Sequence, residues 1–185
     1  MEMKIKVSAA NSLKTVFACG FAYGRHGSQC RLNGELHIEH VLRVAQAAAE
    51  YVLKNHLSEE DEGTLVLSAV LHDVLEDTPT SDEEVSLLFG NEVARITRAL
   101  SHVEEEESDE VYLGRIKAAG RIAVLVKRFD RLDNLRSLQN APVEFRARKL
   151  VEIRKALSLW HEIDSDGAPL IEKLLQEVEH ESATC

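Results

Sequence analysis

The chain has 185 residues, 44% hydrophobic and 29% charged, a balance that suits one soluble domain with a core able to fold without staples. Its 22 lysines and arginines against 32 aspartates and glutamates give a formal charge of -10, which argues against a nucleic-acid polymer or an anionic membrane as partner. No apolar run reaches the roughly 20 residues of a bilayer span. The N-terminus has no signal-peptide core, and three cysteines without metal-binding spacing fit free thiols in a reducing cytoplasm.

Helical periodicity runs along the chain and no segment alternates β-branched with polar residues, so the sequence predicts an all-α bundle of about eight to ten helices. A first helix is expected from about Asn11 to Tyr23, then a polar loop from Gly24 to Glu35. A second, from about His37 to Asn55, carries Val41, Val44, Ala45, Ala48 and Val52 at helical spacing. Ser58 with Asp61 resembles the N-terminal cap of a third helix, which continues through Leu71-His72-Asp73-Val74-Leu75-Glu76-Asp77-Thr78 and ends near Pro79. Ser81 with Glu84 forms a capping box for a short helix reaching Phe89-Gly90, and Asn91 is the expected cap of the next, which runs to about Leu100. The acidic run Glu104 to Glu107 reads as a solvated loop. Further helices are expected over 109–119, 122–138, 143–163 and 169–179, with a frayed tail from Ser182. The three prolines fall between helices and no linker interrupts the chain, so residues 1–185 read as one domain with its core over about 9–160.

The third predicted helix contains a chemical anomaly. A histidine and three carboxylates occupy six consecutive positions, His72 to Asp77, inside an apolar run. Buried acids repel one another and are costly unless paired or bound to a cation. In one continuous helix His72 stacks on Glu76 and Asp73 on Asp77. His72 and Asp73 could then face an ion at one level, with Glu76 and Asp77 one turn later, suited to handling water. A second apolar helix acquires Lys127, Asp130 and Asn134 at helical spacing; Asp130 either pairs with Lys127 or Asn134 or serves as a further ligand. His37 and His40, three apart, open the second helix. His26, His56, His102, His161 and His180 have no partner pattern and read as structural or exposed. Two imidazoles, His40 and His72, with two carboxylates, Asp73 and Asp130, make an open, borderline-hard ligand set suited to Mn²⁺, Fe²⁺ or Zn²⁺, with Mg²⁺ a further option. Such a site suits activation of water for phosphate-ester hydrolysis.

These segments, in this order, resemble the HD-domain metal-dependent phosphohydrolases. More narrowly, they are similar to the hydrolase domain of the RelA/SpoT alarmone enzymes and their small stand-alone relatives. The similarity is carried by His26-Gly27-Ser28-Gln29-Cys30-Arg31 leading to His40, by Leu71 to Thr78, by Phe89-Gly90-Asn91-Glu92-Val93, and by Val126 to Asn134. It implies an all-α fold and one Mn²⁺ held by His40, His72, Asp73 and Asp130. It assigns the attacking water to Glu76 and Asp77, sets Asn134 by the scissile phosphate or ribose, and puts Arg31 by the substrate, with Lys127 and Arg131 as further contacts. The implied partner is a small phosphorylated nucleotide and the implied reaction removes pyrophosphate from the 3′ position of guanosine tetra- or pentaphosphate. Phosphatase action on another nucleotide or a dinucleotide such as NADPH, and a non-catalytic nucleotide or metal sensor, are the alternatives.

The chain departs from the family pattern in five places. Leu32 stands where a basic residue usually follows Arg31, and Leu36-His37 replaces a Pro-Tyr pair. Val41 follows the metal histidine in place of proline, and Asp133 stands where a histidine is common. The segment after Leu100, which often bears lysine and tyrosine, is acidic here and should repel an anionic nucleotide.

Overall fold

The computed structural model describes residues 9–102, 108–137 and 143–163, together with Glu172 and Gln176. Among the described residues are nine α-helices: α1 (Ala9–His26), α2 (His37–Lys54), α3 (Glu59–Leu71), α4 (Val74–Asp77), α5 (Asp82–Phe89), α6 (Asn91–Leu100), α7 (Asp109–Ala119), α8 (Arg121–Ser137) and α9 (Val143–Trp160). No strand forms among them; an isolated bridge between Cys30 and Leu36 closes the loop after α1. The acidic run at Glu104 to Glu107 and the tail lie outside the described residues, as does the helix expected from Pro169, apart from Glu172 and Gln176.

Local chemistry explains the helix starts. The hydroxyls of Ser58, Ser81 and Ser108 accept from the backbone N–H groups of Asp61, Glu84 and Val111, and acids fill each first turn, where they oppose the helix dipole. The cap expected at Asn91 is taken by Gly90 instead, at φ 100° and ψ 157°. That conformation turns the chain from α5 into α6 within one residue, and only glycine adopts it without strain. Asn91 is thereby inside α6, and its side chain accepts from the Ser86 hydroxyl.

The apolar faces converge on two clusters. One gathers Ala18 and Ala22 of α1, Val41 of α2, Val70 and Leu71 of α3, Val74 of α4, Val85 of α5 and Val93 of α6. The other gathers Val44 and Ala48 of α2, Leu65 and Ala69 of α3, Ile96 of α6, Tyr112 and Ile116 of α7, Leu125 and Phe129 of α8, and Ile153 and Trp160 of α9. α3 contributes to both and packs on α1, α2, α6 and α8. No helix among the described residues is long and apolar enough to cross a membrane. Cys19 and Cys30 are free thiols, Cys30 at the surface.

The predicted third helix is broken inside its motif. α3 ends at Leu71, His72 keeps helical angles, and Asp73 swings to φ -104° and ψ -3° before α4 begins. The Asp77 amide still donates to the Asp73 carbonyl, at 2.9 Å. The strip of Asp73 and Asp77 survives, since His37 Nε2 lies 3.0 Å from Asp73 Oδ2 and 3.4 Å from Asp77 Oδ2. The bend also turns two successive side chains, His72 and Asp73, onto one point, with Asp73 Oδ2 3.0 Å from His72 Nε2.

Candidate metal centre

Four side chains from three parts of the chain meet where α2, the α3–α4 bend and α8 touch. His40 Nε2 lies 3.3 Å from His72 Nε2, 3.7 Å from Asp73 Oδ2 and 3.3 Å from Asp130 Oδ1. His72 Nε2 lies 3.9 Å from the same Asp130 oxygen. Neighbouring ligands about 2.1 Å from one ion stand roughly 3.0–3.4 Å apart; His40, His72 and Asp73 offer ligand atoms all within 4.8 Å of one another, which suits a shared cation, and Asp130 stands beside them against His40. His40, His72 and Asp130 are 2%, 1% and 4% exposed, which removes water as their alternative partner.

The proton positions favour a cation there. His72 Nδ1 donates to the Ala69 carbonyl, at 2.8 Å, and His40 Nδ1 donates to Asp133 Oδ2, at 2.7 Å. When both rings are neutral each Nε2 carries a lone pair, and the two lone pairs face each other beside two carboxylates, so that either a proton on His40 Nε2 or a cation must intervene. Such a buried cluster lacks positive charge, and a divalent ion of the Mn²⁺, Fe²⁺ or Zn²⁺ kind supplies it. The same demand appears in the titration of His40. Burial pulls its pKa down, yet hydrogen bonds to Asp130 and Asp133 and the charges of Asp130 and Asp73 push it up to about 9.

Neighbouring groups hold the ligands in place. Asp130 Oδ2 accepts from Lys127 Nζ, at 2.8 Å, and Oδ1 accepts from Asn134 Nδ2, at 2.6 Å. Burial opposes ionisation of Asp130, but the Lys127 charge and the hydrogen bond with His40 keep its pKa well below the usual carboxylate range. The Asn134 carbonyl oxygen accepts from Arg31, whose other guanidinium nitrogen reaches Asp133 Oδ2 at 3.3 Å. Arg31 and Asn134 therefore form one edge of the pocket. Arg131 points elsewhere: it is 4% exposed, donates to Glu152 Oε1 at 2.8 Å, and lies 5.8 Å from the Trp160 ring.

Glu76 and Asp77, on α4 directly after the bend, form an acidic rim beside Asp73. The His102 amide donates to Glu76 Oε2 at 2.9 Å. Lost hydration against the pocket wall lifts the Glu76 carboxyl above its ordinary value, while that N–H and the Lys127 charge pull it back. Asp77 is likewise raised, first by lost hydration and then by the negative charge of Asp73.

The HD-domain family matches residues 18–163, which include all of these groups. The chain belongs to that family.

Among relatives, this HD domain is 35% identical over 124 residues to the guanosine-3′,5′-bis(diphosphate) 3′-pyrophosphohydrolase of Aquifex aeolicus, covering 64% of the chain but 17% of that protein. It is 33% identical over 137 residues to the guanosine-3′,5′-bis(diphosphate) 3′-pyrophosphohydrolase MESH1 of Drosophila melanogaster, covering 71% of the chain and 73% of that protein. The chain thus spans about a sixth of the long bacterial protein and most of the short one. The fold also matches the solved structure of a metazoan ortholog of SpoT, with a TM-score of 0.76 at 24% identity, over 92% of this chain and 96% of that one.

The sequence of this HD domain gives no signal of the partners that Asp133, Arg43 and His26 find in the fold. Asp133 stands out in the sequence only as a departure from the family pattern; in the structure it is buried, accepts a hydrogen bond from His40 Nδ1 and accepts from Arg43 Nε at 2.7 Å. Arg43 in turn donates to Glu35, so a chain of charges runs from the surface to His40. Burial works against the Asp133 carboxylate, but His40 and Arg43 hold its pKa far below the ordinary value. His26, grouped among the histidines without a pattern, is 2% exposed and stacks on His37 with ring centroids 4.6 Å apart. The signal available was the Asp three residues after Asp130 and the His-rich loop, neither of which declares a partner before the chain folds.

Proposed function

We propose that this chain is a metal-dependent nucleotide phosphohydrolase that removes pyrophosphate from the 3′ position of guanosine 3′,5′-bis(diphosphate), acting as one domain over residues 1–185 in a cytoplasmic setting. The observation that carries the reading is the convergence of two imidazole lone pairs and two carboxylates at one buried point, beside an Arg31–Asn134 edge and a Glu76–Asp77 rim. The names borne by the Aquifex and Drosophila relatives favour the alarmone as substrate. His40, His72, Asp73 and Asp130 would hold the ion, with Mn²⁺ first in order. The ion, when bound, supplies Lewis-acid polarisation of a phosphoryl oxygen and lowers the pKa of water.

The other residues have distinct tasks. Arg31 offers a planar, doubly donating guanidinium to a phosphate. Its present bonds to Asp133 and Asn134 keep it extended along the pocket edge. Asn134, held by Asp130, directs its amide at the same edge. Glu76, with its carboxyl raised, is suited to take a proton from the attacking water at a carboxylate oxygen and later to release it. Asp77 orients the water side of the pocket. Lys127 keeps Asp130 charged and directed, and Arg131 ties α8 to α9.

The test is incubation of Mn²⁺-loaded protein with guanosine tetraphosphate while pyrophosphate and orthophosphate are followed separately. Pyrophosphate with GDP is expected, and Glu76→Gln should lower turnover about 100-fold or more with metal content unchanged. Orthophosphate release from other nucleotides would assign a phosphatase, and binding without turnover would assign a sensor.

A further inference from the structure

Beside the first cluster stands a second one, built from residues that the ligand set above does not use. His26, His37 and Asp77 offer ligand atoms that all lie within 4.8 Å of one another. His37 Nε2 is 3.4 Å from Asp77 Oδ2 and 3.0 Å from Asp73 Oδ2. Asp73 thus stands between the clusters, its Oδ2 also 3.0 Å from His72 Nε2.

The proton positions around His26 decide what this group lacks. The Gln29 amide nitrogen donates to the Asp77 carbonyl oxygen at 2.7 Å, which can only accept. The Gln29 oxygen therefore faces His26 Nδ1, at 2.9 Å, and Nδ1 must be the donor. His26 Nε2 is left with a lone pair. It is fully buried and has no hydrogen-bond partner among the described residues. A buried imidazole nitrogen in this state is costly unless something electrophilic meets it. Its tautomer is the one that metal-ligating histidines adopt when the other ring nitrogen donates to an oxygen. The Asp77 side chain is 38% exposed, which gives an ion a route in from solvent.

We propose that His26 Nε2, His37 Nε2 and Asp77 form a second divalent-cation site, with Asp73 shared between the two ions, so that the centre of this chain is dinuclear. Two imidazoles and one or two carboxylates with open positions suit Mn²⁺, Fe²⁺, Co²⁺ or Zn²⁺. The inference rests on the reading of the first centre only through the shared Asp73. It also answers a charge problem. The pocket gathers six carboxylates (Glu35, Asp73, Glu76, Asp77, Asp130, Asp133) against the cationic Arg31, Arg43 and Lys127, a net charge of about -3. One divalent ion leaves the pocket negative; a second turns it positive and able to attract a polyphosphate. Asp77 acts on the water side through the ion that it holds.

The experiment is equilibrium dialysis of the full chain against Mn²⁺, with bound metal measured by mass spectrometry and Mn–Mn exchange coupling by electron paramagnetic resonance. Wild type should bind two equivalents with a coupled signal. His37→Tyr should bind one and lose the coupling, and His72→Ala should bind one at the other site. Asp77→Asn provides a milder check, with second-ion affinity reduced at least tenfold, should the bulkier change perturb folding. One equivalent in wild type, kept by His37→Tyr and lost by His72→Ala, overturns the second site and leaves the first standing. One equivalent kept by His72→Ala and lost by His37→Tyr overturns the first reading and leaves the second standing. No bound metal at saturation overturns both.

Discussion

His40 meets three carboxylates, and the nature of its hydrogen bond to Asp133 determines how well it can bind an ion. The carboxylate fixes the Nδ1 proton, orients the ring and raises the basicity of Nε2, the arrangement found behind most metal-bound histidines. Asp133→Ala should therefore weaken metal binding about 10–100-fold, read by competition with a chelator. Asp133→Asn should lose far less, because an amide oxygen still accepts from Nδ1. Equal loss in both variants, or none in either, would show that Asp133 serves folding alone. Arg43 is the counterpart at this scale. By pairing with Asp133 and Glu35 it lets a buried carboxylate stay ionised beside the metal ligands.

At the scale of elements, two bends do what straight helices could not. The Asp73 bend brings the adjacent side chains of His72 and Asp73 together, and the Gly90 turn folds α5 back against α6, with Val85, Phe89, Val93 and Ala94 closing the apolar cluster beneath α4. A side chain at Gly90 would meet no atom within 4 Å, so a substitution there tests the backbone alone. Gly90→Ala should cost about 1–3 kcal/mol for the φ 100° conformation. In a protein of this size the melting temperature should fall roughly 2–4 °C per kcal/mol. An unchanged melting temperature would mean that α5 and α6 are joined less tightly than their packing indicates.

Across the whole molecule, α9 packs on α7, where the Trp160 indole donates to the Leu113 carbonyl, and is tied to the site-bearing α8 by one partly buried ion triad. Glu152 accepts from Arg131 at 2.8 Å and from Lys149 at 2.9 Å. Burial opposes the Glu152 charge, but Arg131 and Lys149 lower its pKa from 4.5 to about 2. A depressed carboxyl contributes stability that is complete above its unfolded value and is lost as pH falls through the folded one. The triad should thus contribute on the order of 2 kcal/mol at neutral pH and lose it between about pH 4.5 and 2. Denaturant titrations of wild type and Glu152→Gln at several pH values measure this. The difference should shrink toward acid, and a constant offset would rule out ionisation of Glu152 as its cause.

What the sequence by itself determined is what local periodicity and chemistry can encode. The helical spacing, the serine caps at Ser58 and Ser81 and the proline boundaries specify the all-α fold, and a histidine with three acids in an apolar run announces a cation without any tertiary information. The tertiary structure alone decided which distant groups complete that chemistry. Asp133 lies 93 residues from His40, and Gln29 lies 48 from Asp77. A hydrogen bond across such a separation leaves no periodic trace. The break at Asp73 was hidden for a related reason: Val74 and Leu75 keep a helical apolar pattern straight through it. Helix propensity cannot register a bend of one residue that packing and a carboxylate–imidazole contact of 3.0 Å hold in place.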